Sequence, residues 1–132
     1  MKELSEVNLP GDVGYAESHE WAKLEGDKVK VGISDYAQDQ LGDIVFVELP
    51  EAGDSFEKGE EFGTVESVKA VSELFMPVGG EIVAVNKDLE DAPEGVNNSP
   101  YTDGWMIEVK PDDASEMDGL LTNDAYLKKL KG

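Results

Sequence analysis

The sequence predicts a mainly β domain, a small sandwich or barrel of short antiparallel strands flanked by short helices, and three observations carry that prediction. Between Pro50 and Val85, β-rich runs of a few residues alternate with Gly, Pro and Asp at close spacing, the rhythm of strands joined by tight turns. Ahead of that region, "KVKVGI" (28–33) sets Val29, Val31 and Ile33 on one face with a period of two. At the C-terminus the period changes, and "SEMDGLLTNDAYLKKLKG" predicts one or two short helices. A chain of 132 residues can bury one modest core and gives no reason to expect a second.

Taken in order, residues 1–13 form an N-terminal extension expected to be mobile, and residues 14–132 form the single domain. "YAESHEWAKLE", the turn pair Gly26-Asp27 and "KVKVGI" predict a hairpin. Ser34 or Asp35 can cap a helix through "DYAQDQL", with Gly42 where a helix C-terminus favours glycine. "IVFVEL" is expected as a buried strand stopped by Pro50. Short strands follow to Val85, then a turn-rich loop "NKDLEDAPEGVNNSPYTDG", then a strand at "WMIEV". In the tail, Ser115 and either Thr122 or Asn123 are the candidate caps.

Composition narrows the function. There is no cysteine, which excludes disulfides and thiolate metal sites, and the single histidine, His19, leaves little for a metal cluster; no metal is expected. Thirty acidic residues against 11 lysines and no arginine give a formal charge of −19, which repels nucleic acid and anionic membranes. The same charge suits either docking to basic partner surfaces or a solvated surface in salty solution. No apolar run approaches the length of a membrane span, and the N-terminus lacks the apolar stretch of a signal peptide. A cytoplasmic, monomeric protein is expected.

The segment "FGTVESVKAVSELF" (62–75) carries the functional signal. Its alternation breaks at Ser67 to Ala70 and then resumes, which predicts a hairpin with Lys69 at an exposed tip. A modifying enzyme needs such a tip, where an extended lysine stem enters an active site while the flanking strands stay folded. For lysines in general the ordinary reading is a solvated turn residue, and position alone does not overturn it.

The surroundings of Lys69 do. "SHEW" (18–21), "VGISDYAQDQLGDIVFVELPEAG" (31–53), "GTVESVKAVSELFMPVGGEIVAVN" (63–86) and "NNSPYTDGWMIEVKP" (97–111) together resemble, in the same order, the H protein family of the glycine cleavage system. With the tail "LLTNDAYLKKL" the resemblance covers nearly everything after residue 14. It implies a barrel-sandwich hybrid of the lipoyl and biotinyl type with a C-terminal helical addition, and lipoate joined to Lys69 by an amide. It implies a carrier, not an enzyme, with no catalytic residue of its own. The arm would take the aminomethyl group of glycine from glycine decarboxylase to the aminomethyltransferase and electrons to dihydrolipoyl dehydrogenase, after attachment by a lipoate ligase or lipoyl transferase.

The resemblance also implies a cleft for the loaded arm, in which Ser18, Glu20 and Glu73 approach a protonated amine. On the residues alone these three read as a turn serine and two solvated strand-face carboxylates. Strand parity predicts that His19 and Trp21 face away from Ser18 and Glu20, with Trp21 in the core. Asn97, Pro100, Tyr101, Gly104 and Trp105 are expected as loop and strand-entry residues that wall the cleft. Among alternatives, biotin carriers set their lysine between methionines, unlike Val68 and Ala70 here; an H-like lipoyl relay protein and an unmodified acidic β-rich interaction module remain as other readings.

Overall fold

A computed structural model describes residues 6–131, and within them the chain forms nine strands and four α-helices. The strands are β1 (Gly14–Tyr15), β2 (Glu20–Glu25), β3 (Lys28–Ile33), β4 (Ile44–Glu48), β5 (Ser55–Phe56), β6 (Glu61–Ser67), β7 (Val71–Phe75), β8 (Gly80–Val85) and β9 (Ile107–Pro111). The helices are α1 (Asp35–Leu41), α2 (Asp88–Asp91), α3 (Gly95–Asn98) and α4 (Asn123–Lys131), with a 3-10 turn over Ala114–Gly119. Two antiparallel sheets result, one in the order β1-β2-β3-β9-β8-β5 and one in the order β4-β6-β7. This is the mainly β architecture that the sequence predicts.

The β2–β3 hairpin pairs Glu25 with Lys28, so Gly26-Asp27 is its two-residue loop, and Gly26 takes a φ of 67° that a side chain would resist. Alternation then sends Val29, Val31 and Ile33 inward to meet Ile44, Val47, Phe62, Val65 and Leu74 of the smaller sheet, with Ile82, Ile107 and Val109 completing the core between the layers. Trp21 is fully buried and lies across its cross-strand partner Gly32. A β carbon at Gly32 would sit 2.8 Å from the indole nitrogen, so the glycine is what lets the ring lie flat on the sheet. Trp21 belongs to a second cluster with Val13, Tyr15 and Tyr126, which docks α4 onto β1 and β2.

Local expectations hold where a single chemical rule decides them. Ser34 caps α1, accepting from the Ala37 amide at 3.1 Å, and Gly42 ends the helix with φ 81°. Others are corrected. "IVFVEL" is not a buried strand: a bulge between Ile44 and Phe46 turns both Val45 and Phe46 outward on a sheet whose outer face meets solvent. The loop after Val85 contains the single turns α2 and α3, and β9 begins at Ile107, with Trp105 and Met106 leading into it. The cap of the 3-10 turn is Asp113, whose carboxylate accepts from the Ser115 amide at 3.0 Å; Thr122 caps α4 by accepting from Ala125 at 3.1 Å.

Of the N-terminal segment 1–13, residues 1–5 lie outside the described residues. Asn8 donates to the Asp35 carboxylate at 2.7 Å and its carbonyl accepts from Tyr101 at 2.7 Å, while the Pro10 carbonyl accepts from Tyr15 at 2.7 Å and the Leu9 carbonyl from Asn123 at 3.2 Å.

Gly80 makes the tightest test of the larger sheet. A β carbon there would run into the Lys110 carbonyl oxygen and lie 2.7 Å from Val109 Cγ1, and neither backbone nor a branched side chain can give way cheaply. Gly80→Ala is expected to lower unfolding free energy in urea by on the order of 3 kcal/mol, and an unchanged midpoint would contradict the register given for β8 and β9.

Candidate functional site

The β6–β7 hairpin is built to present Lys69. Ser67 and Ala70 close the turn through a Ser67 amide to Ala70 carbonyl bond of 2.8 Å. The return bond from the Ala70 amide goes to the Ser67 hydroxyl at 3.1 Å. That hydroxyl also accepts from the Lys69 amide at 3.3 Å and lies 3.2 Å from the Ala70 carbonyl. His19 is the one non-glycine with positive φ among the described residues, so Val68 and Lys69 do not form a primed turn; the buried serine supplies the closure that such a turn would give. Val68 donates to the Asp43 carbonyl at 3.2 Å, tying the tip to the end of α1. Lys69 is exposed, and its ε carbon lies over Gly42, 3.6 Å from where a β carbon would sit.

From Gly42 backward, α1 forms one wall of a cleft of about 230 Å³, lined by Tyr36, Ala37, Gln40 and Leu41 on that side. Ile33, Val65 and Leu74 supply apolar surface, and Ser18, His19, Glu20, Ser72 and Glu73 supply the polar end. The structure therefore brings Glu73 together with Ser18 and Glu20, more than fifty positions earlier in the sequence, in one cavity beside the helix over which Lys69 lies.

Glu20 is no solvated strand-face carboxylate. It is 1% exposed, accepts from the Ser18 hydroxyl, and accepts from the Phe75 amide at 3.2 Å through its other oxygen. Burial pushes its carboxyl up to about 7, hydrogen bonds from Ser18, Phe75 and its own backbone amide pulling the other way without cancelling it. Glu73 is exposed, as expected of a strand-face carboxylate, yet lines the same cleft. Ser18 is exposed as well.

The parity argument fails at His19. Its φ of 83° breaks the strand one residue before β2 begins, so the imidazole lines the same cleft as Ser18 and Glu20. It is half-buried, and burial lowers its pKa below the usual 6.5. His19 Nδ1 lies 2.7 Å from the Tyr126 hydroxyl, which in turn lies 2.8 Å from Ser34 Oγ. One phenol of the C-terminal helix thus joins the residue between Ser18 and Glu20 to the cap of α1, that is, one wall of the cleft to the other. Tyr126 stacks on Tyr15 with ring centres 4.6 Å apart and planes within 6°. Sequence reasoning missed this residue; an aromatic on a short tail helix reads only as packing.

Asn97, Pro100, Tyr101, Gly104 and Trp105 do not wall this cleft. Asn97 clamps the end of α1, donating to Gln38 and to the Gly42 carbonyl at 2.9 Å each and accepting from Ile44 at 2.8 Å. The Pro100 carbonyl accepts from the Trp21 indole at 2.9 Å, and Tyr101 donates its ring to the same cluster. Gly104 packs against the Gly95 and Ser99 carbonyls, and Trp105 sits under the Lys30 ammonium. Asn97 thus supports the end of α1 beneath Lys69, while the other four pack elsewhere. Among the described residues, no group of His, Cys, Asp and Glu could hold a metal ion, and no helix is long and apolar enough to cross a membrane.

The raised carboxyl has a consequence for stability. Below pH 4.5 Glu20 is protonated in both folded and unfolded chains; between 4.5 and about 7 the unfolded chain releases the proton while the folded chain keeps it. This group therefore lowers stability as pH rises through that window, by up to about 3 kcal/mol. Urea unfolding of the parent and of Glu20→Gln from pH 4 to 8 should show the parent losing ground to the variant between 4.5 and 7, and a constant difference would contradict a buried, weakly acidic Glu20.

Comparison with known proteins finds similarity over almost the whole chain. The family model described as "Glycine cleavage H-protein" matches residues 13–132. The chain is 60% identical over 123 residues to the glycine cleavage system H protein of Halalkalibacterium halodurans, covering 93% of this chain and 96% of that one. It is 59% identical over 119 residues to the probable glycine cleavage system H protein of Natronomonas pharaonis, covering 90% and 94%. Among solved structures, a glycine cleavage system H protein from Mycobacterium marinum superposes with a TM-score of 0.86 at 40% identity, covering 94% of this chain and all of that one. The chain belongs to the glycine cleavage H-protein family.

Proposed function

We propose that Lys69 is the residue to which lipoate is joined, and that the cleft along α1 shelters the cargo of the resulting arm between visits to partner enzymes. As a member of the H-protein family the chain is a carrier rather than a catalyst. The observation that supports the site is the placement of Lys69: a lysine on a pinned tip, its stem lying over Gly42 at the end of the helix that forms one wall of the cleft.

The residues present fit such a group. Ile33, Leu41, Val65 and Leu74 suit a hydrocarbon arm, and the far end offers carboxylates and a hydroxyl to a cation. Lipoate, once attached, supplies a reducible disulfide and a sulfur that can carry a small amine-bearing group. The chain's own residues bind and exclude water. Glu73 stands at the open rim, where it attracts a cation, and Glu20 waits inside with a proton that a cationic neighbour would displace, because a positive charge favours its ionised form. Ser18 then donates to a carboxylate, a stronger bond than to the neutral acid. Tethering on a short arm raises the effective concentration of cargo at each partner's site. Glycine decarboxylase, the aminomethyltransferase, dihydrolipoyl dehydrogenase and the lipoate-attaching enzyme are the partners of this proposal, with the cytoplasm as its location.

Lys69→Arg separates fold from function. It keeps the charge and the turn, so circular dichroism should be unchanged, but a guanidinium forms no lipoyl amide and glycine cleavage with the three partner enzymes should vanish. Intact mass of the parent from lipoate-replete cells should carry one lipoyl increment on the peptide containing Lys69, and native gels should show the formal charge passing from −19 to −20 as the ammonium is lost. An unmodified Lys69 in such cells, or a variant that turns over at the parent rate, would sink the assignment.

The cleft is tested by cargo lifetime. Glu20→Gln and Glu73→Gln should leave lipoylation and reoxidation by dihydrolipoyl dehydrogenase nearly intact and speed the release of formaldehyde and ammonia from loaded protein kept without tetrahydrofolate. A contact of about 1.5 to 3 kcal/mol corresponds to a lifetime shortened by roughly ten- to hundredfold; lifetimes equal to the parent's in both variants and in the double variant would show that the shelter lies elsewhere.

A further inference from the structure

His19 is the single histidine of the chain and stands between Ser18 and Glu20 at the polar end of the cleft. Its φ of 83° is costly for a residue with a β carbon, and conformations of that kind gather at functional sites. The imidazole ends a short chain of hydrogen-bonding groups. Ser34 Oγ accepts from the Ala37 amide at 3.1 Å and lies 2.8 Å from the Tyr126 hydroxyl, which lies 2.7 Å from His19 Nδ1. Ser34 is 0% and Tyr126 1% exposed, so neither hydroxyl hydrogen reaches water, and among the described residues neither has an acceptor outside this chain.

Counting hydrogens fixes the direction of the chain. One arrangement uses both hydroxyl hydrogens: Ser34 donates to the Tyr126 oxygen, and Tyr126 donates to His19 Nδ1. If Nδ1 donated instead, a buried hydroxyl hydrogen on Ser34 or on Tyr126 would be left without an acceptor, which carries the full desolvation penalty of that group. Nδ1 is therefore an acceptor, and the imidazole is neutral with its proton on Nε2. Burial works in the same direction by disfavouring the imidazolium. Among the described residues Nε2 makes no hydrogen bond, and no buried side-chain nitrogen or oxygen lacks a partner. This nitrogen is thus not enclosed: it is an open donor on a residue that lines the cleft.

We propose that Tyr126 is a positioning residue that sets His19 as a fixed hydrogen-bond donor in the cleft, and that this Nε2–H receives the free sulfur of the loaded arm while the carboxylates receive its amine. The role rests on Lys69 bearing the arm. When the arm takes up its cargo the lipoyl disulfide opens, one sulfur carries the amine-bearing carbon, and the other is left as a thiol a few bonds away. Those two ends need opposite partners. An ammonium only donates, and Glu20 and Glu73 match it; a sulfur accepts, and the carboxylates offer it nothing. Ser18 already gives its hydrogen to Glu20. The Nε2–H supplies a donor from the residue between Ser18 and Glu20. An oxidised arm has neither thiol nor amine, so the pair of carboxyl and imidazole favours the arm that carries cargo over the arm that does not.

A single histidine makes the test direct. Full-length protein labelled with nitrogen-15 in its imidazole is compared by NMR when unmodified, when lipoylated, and when loaded from glycine by glycine decarboxylase, with intact mass identifying each form. The unmodified parent should show the Nε2–H tautomer. On loading it should keep that tautomer while the Nε2–H resonance moves and that of Nδ1 stays. Tyr126→Phe keeps the ring that stacks on Tyr15 and removes one oxygen; it should show mixed tautomers and release cargo roughly two- to tenfold faster, the worth of one net hydrogen bond. An Nδ1–H tautomer in the unmodified parent would overturn the proposal. So would a switch to that tautomer on loading, which would mean that the imidazole takes the amine, and so would an Nε2–H resonance indifferent to loading in protein that mass shows to carry cargo. Parent tautomer and parent cargo lifetime in Tyr126→Phe would overturn the role of the phenol; should that variant not fold, the two readings on the parent decide. A parent with no lipoyl increment on Lys69 would overturn the assignment of the lysine as well, and intact mass reads that before any loading.

Discussion

A single buried carboxyl joins the two sheets at the place where the cleft ends. Glu20 opens β2 in the larger sheet, and its side chain accepts from the amide of Phe75, the last residue of β7 in the smaller one. Burying an ionised carboxylate is costly, and the hydrogen-bond donors around it do not offset that cost, so the group holds its proton to about pH 7. Structural glue alone would be better served by a neutral amide or an apolar contact. A carboxyl kept weakly acidic inside a cavity is the arrangement that lets a cation enter, displace the proton and be held by the charge left behind.

The rest of the molecule arranges two opposite properties around that group. The cleft needs fixed walls, and the Tyr126 hydroxyl fixes them by bonding both His19 and Ser34, with the stack on Tyr15 holding the phenol in place. The Ser67 hydroxyl gathers the Lys69 and Ala70 amides beneath the tip, fixing the backbone there while the Lys69 side chain stays exposed. Asn97 connects the two ends by clamping the Gly42 carbonyl and the Ile44 amide. The C-terminal helix, which reads as an appendage, braces the cleft through one oxygen atom.

What was legible in the sequence was whatever one local rule decides. Gly26-Asp27 closes a two-residue hairpin, Ser34 and Gly42 bound α1, and the break in alternation at Ser67 to Ala70 marks the tip. What was not legible depends on contacts between distant segments. The parity that put His19 opposite Glu20 assumed a regular strand, and a positive φ at His19, whose imidazole meets Tyr126, overrides it. The apolar run at "IVFVEL" reads as buried because periodicity cannot show a bulge. Glu20 reads as solvated because nothing beside it in sequence reveals that Phe75 and the core will close over it. Resemblance to the family brought Ser18, Glu20 and Glu73 together before the fold did, whereas the expectation that Asn97, Pro100, Tyr101, Gly104 and Trp105 wall the cleft does not hold, Asn97 supporting α1 and Pro100 and Tyr101 packing on Trp21 instead.

The central claim is that Glu20 is the proton-bearing carboxyl which receives the amine cargo of the Lys69 arm. Its most direct test is a carbon-13 titration of the Glu20 carboxyl by NMR in lipoylated protein, first unloaded and then carrying the amine. The account predicts a midpoint near 7 without cargo and a clearly lower one with it, since a cation beside the carboxyl favours its ionised form. A midpoint that is the same in both states would contradict it, leaving Glu20 as a structural tie between the sheets and nothing more.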